Sequence, residues 1–140
     1  MLRQLSTTLK VATPGRGLHE ITRDVSGWIE GCAIGEGLLT LFLRHTSASL
    51  LIQENADPDV RGDLDRFFAR LVPDGDTQFR HRDEGVDDMP AHVRSALTAT
   101  HLSIPVSAHR MTLGTWQGIY LCEHRLRPHR RELALHLLGE

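Results

Sequence analysis

The sequence predicts an α+β fold, with a mainly antiparallel sheet and about three helices inserted between its strands. Three observations predict it: apolar residues that alternate with polar ones, one short and almost continuous apolar run, and stretches of apolar residues at helical spacing. These stretches do not alternate regularly as strand, helix and strand, as the units of a parallel sheet would. With 140 residues, 40% of them hydrophobic, the chain is expected to form a single domain over residues 1–140.

The first half of the chain predicts a strand, a helix and two further extended segments. Apolar residues alternate over residues 5–11, and a stretch rich in proline and glycine ends this strand. Leu18 begins a series of apolar residues at helical spacing that runs to Ile29, which predicts a helix. The apolar run at 38–43 predicts a central strand, and alternation resumes at 48–52. The polar residues between these two segments are therefore expected to form a break or bulge.

The second half contains the clearest helix signal. Asp57 is a typical N-cap, Pro58 suits the first turn, and an apolar face continues to Leu71. Residues 74–88 are expected to form a long polar loop, and Pro90 begins a shorter helix. Three more strands are predicted, at 103–107, 118–124 and 132–138.

Composition narrows the range of functions. A formal net charge of −2 gives no basic surface for a nucleic-acid partner. No apolar stretch reaches the roughly 20 residues that a membrane helix needs. The N-terminus lacks the features of a signal peptide, and only Cys32 and Cys122 are present, so a cytoplasmic location is expected. Lys10 is the only lysine, so arginine must anchor any phosphate or carboxylate group.

Polar blocks lie where the predicted strands and helices begin or end, and they contain the candidate functional residues. His45 follows a buried-looking strand and precedes hydroxyl residues such as Ser47. It could bind a metal or transfer protons near neutral pH, or simply be hydrogen-bonded at the end of the strand. Asn55 could hold a ligand oxygen, whereas Asp57 is first of all a helix cap.

A second block places Asp87 and Asp88 just before a helix and His92 in its first turn. Acids at that position stabilise the helix dipole in any case. Adjacent carboxylates can also hold a divalent cation, and the backbone N–H groups there can bind an anion. His81 and Glu84, in the preceding loop, add further candidate ligands.

A third block surrounds one predicted strand, with Trp116 and Gln117 at its start and Glu123, His124 and Arg125 at its end. The indole could stack on a flat ring of a ligand, or it could close the edge of the core. Strand alternation places the acid and the arginine on one face and the histidine on the other. All three can share one pocket only if the strand bends.

Together these blocks resemble the YjbQ-like family, also called the secondary thiamine-phosphate synthase family. The resemblance runs nearly end to end. The motifs are His45-Thr46-Ser47-Ala48-Ser49; Glu54-Asn55 with Asp57-Pro58; Glu84-Gly85 with Asp87-Asp88-Met89-Pro90 and His92; and Gly114-Thr115-Trp116-Gln117-Gly118 with Glu123-His124-Arg125. The resemblance implies a small α+β domain that forms a homotrimer, with polar pockets near its subunit boundaries that hold a metal or an anion.

The resemblance also implies thiamine-phosphate synthesis, in which a pyrimidine methyl group is transferred and diphosphate is released. The implied catalytic residues are His45, Asp87, Asp88 and His92; the substrate-binding residues are Ser47, Asn55, Asp57, Trp116, Gln117, Glu123 and Arg125; the metal ligands are His45, His92 and His124. The departing diphosphate needs charge stabilisation, which Mg²⁺ on the paired aspartates could supply. A site rich in histidine instead favours Zn²⁺.

Two classes of function therefore remain open. The first is an enzyme that uses Zn²⁺ or Mg²⁺ on a small phosphorylated substrate, either as a thiamine-phosphate synthase or as a hydrolase. The second is a non-catalytic homotrimer that binds a metabolite or a metal. A weaker hypothesis is that the polar blocks form the contacts between subunits. Neither a nucleic acid nor a membrane is expected as a partner.

Overall fold

The computed structural model describes residues 1–140 and pairs eight strands into two antiparallel sheets. The strands are β1 (Arg3–Thr13), β2 (Gly17–Glu20), β3 (Gly37–Leu43), β4 (Ala48–Glu54), β5 (His101–Ser107), β6 (Arg110–Met111), β7 (Gln117–Glu123) and β8 (His129–Gly139). The helices are α1 (Thr22–Gly31), α2 (Pro58–Leu71) and α3 (Asp88–Leu97). The strand orders are β1-β8-β3-β5-β6 and β2-β7-β4. The predicted α+β fold with three helices is thus confirmed, with two sheets instead of one.

One apolar core joins the two sheets. Alternate residues of β8, namely Leu133, Leu135 and Leu137, are almost fully buried, so these leucines belong to the core. Leu50 of β4 and Leu121 of β7 belong to the same buried cluster, although they come from the smaller sheet. The two sheets therefore pack against each other through this cluster, with a contribution from α1.

The small sheet also buries its second face. Tyr120 and Cys122 alternate with the core residues of β7, and both are buried. Helix α2 contacts β2, yet none of its own residues is fully buried. Phe67 and Leu71 on this helix are more than half exposed. Its first turn is as predicted, since Asp57 Oδ1 accepts a hydrogen bond from the Asp59 amide.

Two predictions for the first half of the chain differ from the structure. Leu18 does not begin a helix, because residues 17–20 pair with β7 as an edge strand, and α1 begins only at Thr22. Hydrogen bonding to an available sheet edge outweighs the helical spacing of this short segment. The break expected at residues 44–47 is the connection that takes the chain from the large sheet to the small one. None of the helices combines the length and the apolar character needed to cross a membrane.

Candidate metal centre

The start of α3 brings a carboxylate and an imidazole onto one face of the helix. Asp88 is the first helical residue and His92 lies four positions later, so their side chains are neighbours. The loop before the helix returns His81 to the same place. His81 Nε2 lies 2.7 Å from Asp88 Oδ2, and His92 Nε2 lies 3.4 Å from the same oxygen. One carboxylate oxygen thus faces two imidazole nitrogens.

These three residues form the group whose ligand atoms could hold a metal ion, because one atom from each lies within 4.8 Å of the others. The Asp88 side chain is 2% exposed, whereas His81 and His92 are 50% and 31% exposed. The carboxylate is therefore fixed inside the protein while the imidazoles reach solvent. Three protein ligands with an open side are typical of a catalytic zinc site, whereas a structural site is closed.

The protein also fixes the ring of His92. Its Nδ1 lies 3.0 Å from the carbonyl oxygen of Thr46. This contact turns Nε2 toward the cluster, where it lies 3.4 Å from Asp88 Oδ2. A hydrogen bond of this kind orients most histidines that bind metals in proteins.

Arg125 fixes the two acids. Its Nη1 donates to Asp88 Oδ1 over 2.9 Å, its Nε donates to Asp87 Oδ2 over 3.0 Å, and its Nη2 donates to the Glu84 carbonyl. Burial alone would raise the pKa of Asp87, but hydrogen bonds from the Leu126 amide and from Arg125 outweigh it and lower the pKa. Both acidic side chains are therefore held in fixed orientations.

His45 and Ser47 lie in a separate, buried network. His45 Nε2 accepts a hydrogen bond from the Glu132 amide over 2.8 Å, and its Nδ1 faces Arg131. Burial lowers the pKa of His45, and the nearby Arg131 lowers it further. Arg131 also donates to Ser47 and forms an ion pair with Glu123. Both ring nitrogens of His45 thus face other protein groups, and the structure does not bring them to His92.

His124 occupies a third environment. Its Nε2 lies 2.8 Å from Ser49 Oγ, and both side chains are buried. Burial lowers the pKa of His124 to about 4, so the ring is neutral at pH 7. Cys122 contacts the same serine, and burial raises the pKa of its thiol to about 12. The predicted ligand set of His45, His92 and His124 therefore does not form one cluster; His81 and Asp88 accompany His92 instead.

The remaining predicted residues lie at the opposite end of the small sheet. Register pairs Ala48 with Glu123 and Glu54 with Gln117, so the two ends are separated by the length of β4, about 20 Å at 3.4 Å per residue. Asn55 donates to Glu20, and Gln117 accepts from the backbone of its own turn. Trp116 is 62% exposed. Within one chain, Trp116 cannot stack on a ligand held at His92.

A cavity of about 180 Å³ opens beside His81. Its lining residues are Gly75, Asp76, Thr77, Phe79, His81, Arg82, Gly85, Val86, Met89 and Pro90. Sequence reasoning identified the loop but not Phe79 or Arg82, because nothing in a polar loop indicates which residues turn inward. Arg131, also missed, carried a clearer signal. It lies two residues before Leu133 and so shares the inward face of β8 with the core leucines, and an arginine on such a face is buried only when it is paired.

Comparison with known proteins agrees with the fold. The family model described as UPF0047 protein YjbQ-like matches residues 7–140. A UPF0047 protein of Synechocystis is 53% identical over 99% of this chain and 94% of its own length, and YjbQ of Escherichia coli is 44% identical over 95% and 96%. A conserved hypothetical protein of Thermus thermophilus superposes with a TM-score of 0.84 at 39% identity, over 94% of this chain and 98% of that one. A Sulfolobus solfataricus protein, described as of unknown function, has a TM-score of 0.90 at 20% identity over both full chains.

Proposed function

The chain belongs to the UPF0047 YjbQ-like family, and we propose that this member is a metal-dependent enzyme that acts on a small phosphorylated substrate. The observation that carries the proposal is the cluster of His81, Asp88 and His92. Two imidazole nitrogens and one carboxylate oxygen converge there on an open side of the protein. Their partial exposure leaves room for a substrate group beside a bound ion.

The donor set fits a transition metal better than magnesium. Mg²⁺ prefers oxygen ligands, whereas two imidazoles with one carboxylate suit Zn²⁺ or another first-row ion. His92 already faces the cluster with its Nε2, because its Nδ1 contacts the Thr46 carbonyl. When bound, such an ion would supply the positive charge that polarises a phosphoryl oxygen. Asp88 would bind it through Oδ2, since Oδ1 is occupied by Arg125.

The cavity beside His81 is the proposed place for the body of the substrate. Phe79 and Met89 form apolar parts of the cavity wall, and Arg82 adds a cationic group to it. Arg82 donates through Nε and Nη2 to backbone carbonyls of its own loop, which leaves Nη1 for an anionic oxygen. Its volume of about 180 Å³ is below the roughly 300–1,000 Å³ of pockets for drug-sized ligands, so it suits a smaller molecule or part of one.

Thiamine-phosphate synthesis, which the family resemblance implies, makes a specific demand on this site. The released diphosphate must be stabilised as it departs. Arg125 already donates hydrogen bonds to Asp87, Asp88 and a backbone carbonyl, so few of its N–H groups remain free to bind the diphosphate. Arg82 and the proposed metal would have to provide the charge. The same groups would serve hydrolysis of a phosphate ester, so the two reactions are rival forms of one proposal.

Metal binding is tested first, with chelator-treated protein titrated with Zn²⁺ in a calorimeter. We expect one site per chain, and we expect alanine at His81 or His92, which removes a ligand, to weaken zinc binding by more than the roughly 10–100-fold that loss of an orienting group costs. His101→Ala is the matched control, since this histidine is exposed on β5, away from the cluster. Equal zinc affinity in all four proteins would contradict the metal centre.

Turnover is tested next, by comparing thiamine-phosphate formation with phosphate-ester hydrolysis, each with and without zinc. An enzyme should reach a kcat of roughly 1–10³ s⁻¹ on its own substrate. Zinc-dependent turnover that His92→Ala abolishes would identify the reaction. Zinc binding without turnover of either substrate class would favour the second candidate, a non-catalytic metal-binding protein.

A further inference from the structure

We propose that the buried ion pair of Glu123 and Arg131 positions the metal ligands His92 and Asp88, although it touches neither of them. This inference rests on the proposed function, because it assigns a purpose to the orientation of those ligands. Glu123 is 1% exposed and Arg131 is 4% exposed. Each is joined by a short series of hydrogen bonds to a different side of the cluster.

Arg131 is connected to His92 by hydrogen bonds that pass through residues 45–47. Its Nη2 donates to both the carbonyl oxygen and the hydroxyl of Ser47, and its Nη1 faces His45. His45 is itself held by the Glu132 amide. Thr46 lies between these two anchored residues, so its carbonyl has a fixed direction. That carbonyl lies 3.0 Å from His92 Nδ1 and thereby holds the ring with Nε2 toward the cluster.

Glu123 is connected to Asp88 through Arg125. Its Oε2 accepts a hydrogen bond from the Arg125 amide over 3.2 Å, and its Oε1 accepts one from the Thr13 hydroxyl over 2.6 Å. The first of these fixes the backbone at the point where Arg125 leaves β7. The guanidinium then reaches Asp88 Oδ1 and leaves Oδ2 directed at the two imidazoles. The ion pair thus acts on both sides of the cluster at once.

Stability alone does not account for this pair. A buried ion pair loses the hydration of two charges, and apolar residues of similar size are often equally stable in its place. Glu123 and Arg131 nevertheless lie at the edge of a leucine-rich core that apolar side chains could extend. A positioning role explains why charged groups with directional hydrogen bonds occupy these positions.

The test compares wild type with the double variant Glu123→Leu/Arg131→Met, which removes both charges and leaves neither unpaired. We expect it to fold, as measured by circular dichroism, and to bind Zn²⁺ about 10–100-fold more weakly, the usual effect of losing groups that orient a ligand. Ser47→Ala keeps the ion pair, removes one contact and should weaken zinc binding less. It is the variant to use if the double variant does not fold. Ser49→Ala is the control, because it removes a buried hydrogen bond that leads to neither ligand.

A second measurement does not require metal. The ¹⁵N chemical shifts of the His92 ring in metal-free protein report the contact of Nδ1 with the Thr46 carbonyl. We expect the wild-type shifts to be kept in Ser49→Ala, and the Nδ1 shift to change in the variants of the ion pair and of Ser47, because that contact is loosened. Unchanged shifts together with unchanged zinc affinity would overturn the inference. If wild type binds no zinc, the proposed function fails, and the ring shifts alone decide whether the pair positions His92.

Discussion

The two ends of the small sheet carry similar numbers of polar motif residues but organise them differently. At the histidine end, defined by His81, Asp88, His92 and Arg125, a buried carboxylate is hydrogen-bonded to His81 and Arg125 and faces His92 over 3.4 Å. At the tryptophan end, defined by Asn55, Trp116 and Gln117, Trp116 is exposed, Gln117 is bonded to its own turn, and Asn55 is bonded to Glu20.

The difference between the two ends shows what distinguishes a candidate binding site from a group of polar residues that only stabilise the fold. The contacts of the histidine end join segments far apart in sequence, so the fold must be complete before they form. Such groups are oriented in advance of any ligand, which is what metal binding and catalysis require. The contacts of the tryptophan end shape a turn, cap a helix and join Asn55 to Glu20. They place no group of metal-binding atoms together.

The largest effect is expected from Asp88→Asn at the histidine end. The change removes the charge that Arg125 and both imidazoles face, and the carboxylate is almost fully buried. We expect a loss of roughly 3 kcal/mol in the free energy of unfolding, the lower part of the range for breaking a buried pair. Zinc affinity should fall by about 100-fold or more. Urea unfolding and calorimetry measure the two effects, and a variant as stable as wild type would contradict the assigned contacts.

The next largest effect is the pH dependence of stability that the buried ring of His124 should cause. Burial lowers its pKa in the folded protein from 6.5 to about 4, so between these values the unfolded chain binds a proton that the folded chain does not. Stability is therefore expected to fall as pH drops from about 6.5 to 4, by about 1.4 kcal/mol per unit and roughly 3 kcal/mol in total. Urea unfolding across this range measures it.

The variant His124→Gln isolates this contribution, because glutamine can still hydrogen-bond Ser49 but carries no ionisable group. Its stability should fall less steeply between pH 6.5 and 4 than that of wild type. His101→Gln is the control, since its side chain is exposed, and it should keep the wild-type slope. Equal slopes in all three proteins would contradict the assignment.

At the tryptophan end, Gly118→Ala should have a smaller and purely local effect. A Cβ added to Gly118 would lie 2.6 Å from Glu20 Oε2 and 3.0 Å from Asn55, so their hydrogen bond must break. Both side chains can move into solvent, and we expect a loss of about 1 kcal/mol in stability. Zinc affinity should not change. A parallel fall in zinc affinity would mean that the two ends are coupled.

Much of this fold could be predicted from sequence, because its signals are local. The cap and proline of α2, the alternation of β8 and the apolar run of β3 each predicted their element. The spacing that begins at Leu18 predicts a helix for residues 18–20, because pairing with β7 is a long-range contact that spacing does not reveal. The division into two sheets was missed for the same reason.

The candidate site could be predicted only in part. Motif blocks selected Asp88, His92 and Arg125, which the structure brings together, but also His45 and His124, which face other partners. A strand-end histidine can turn toward either sheet or toward a helix, and its own sequence neighbours do not decide which. Only the tertiary contacts separate a group free to bind a ligand from one already satisfied by the protein.

The smallest effect is expected from Trp116→Ala, and it is the change best able to overturn the comparison. The side chain is 62% exposed, so its loss should alter stability by no more than about 0.5 kcal/mol. Zinc affinity and turnover should be unchanged, because about 20 Å separates this end from the cluster within one chain. The family resemblance implies a homotrimer, however, and a neighbouring subunit could bring the two ends together. If Trp116→Ala reduced turnover while light scattering gave an unchanged mass, one site would be built from the tryptophan end of one subunit and the histidine end of the next. The separation of the two ends would then be a property of the single chain and not of the working protein.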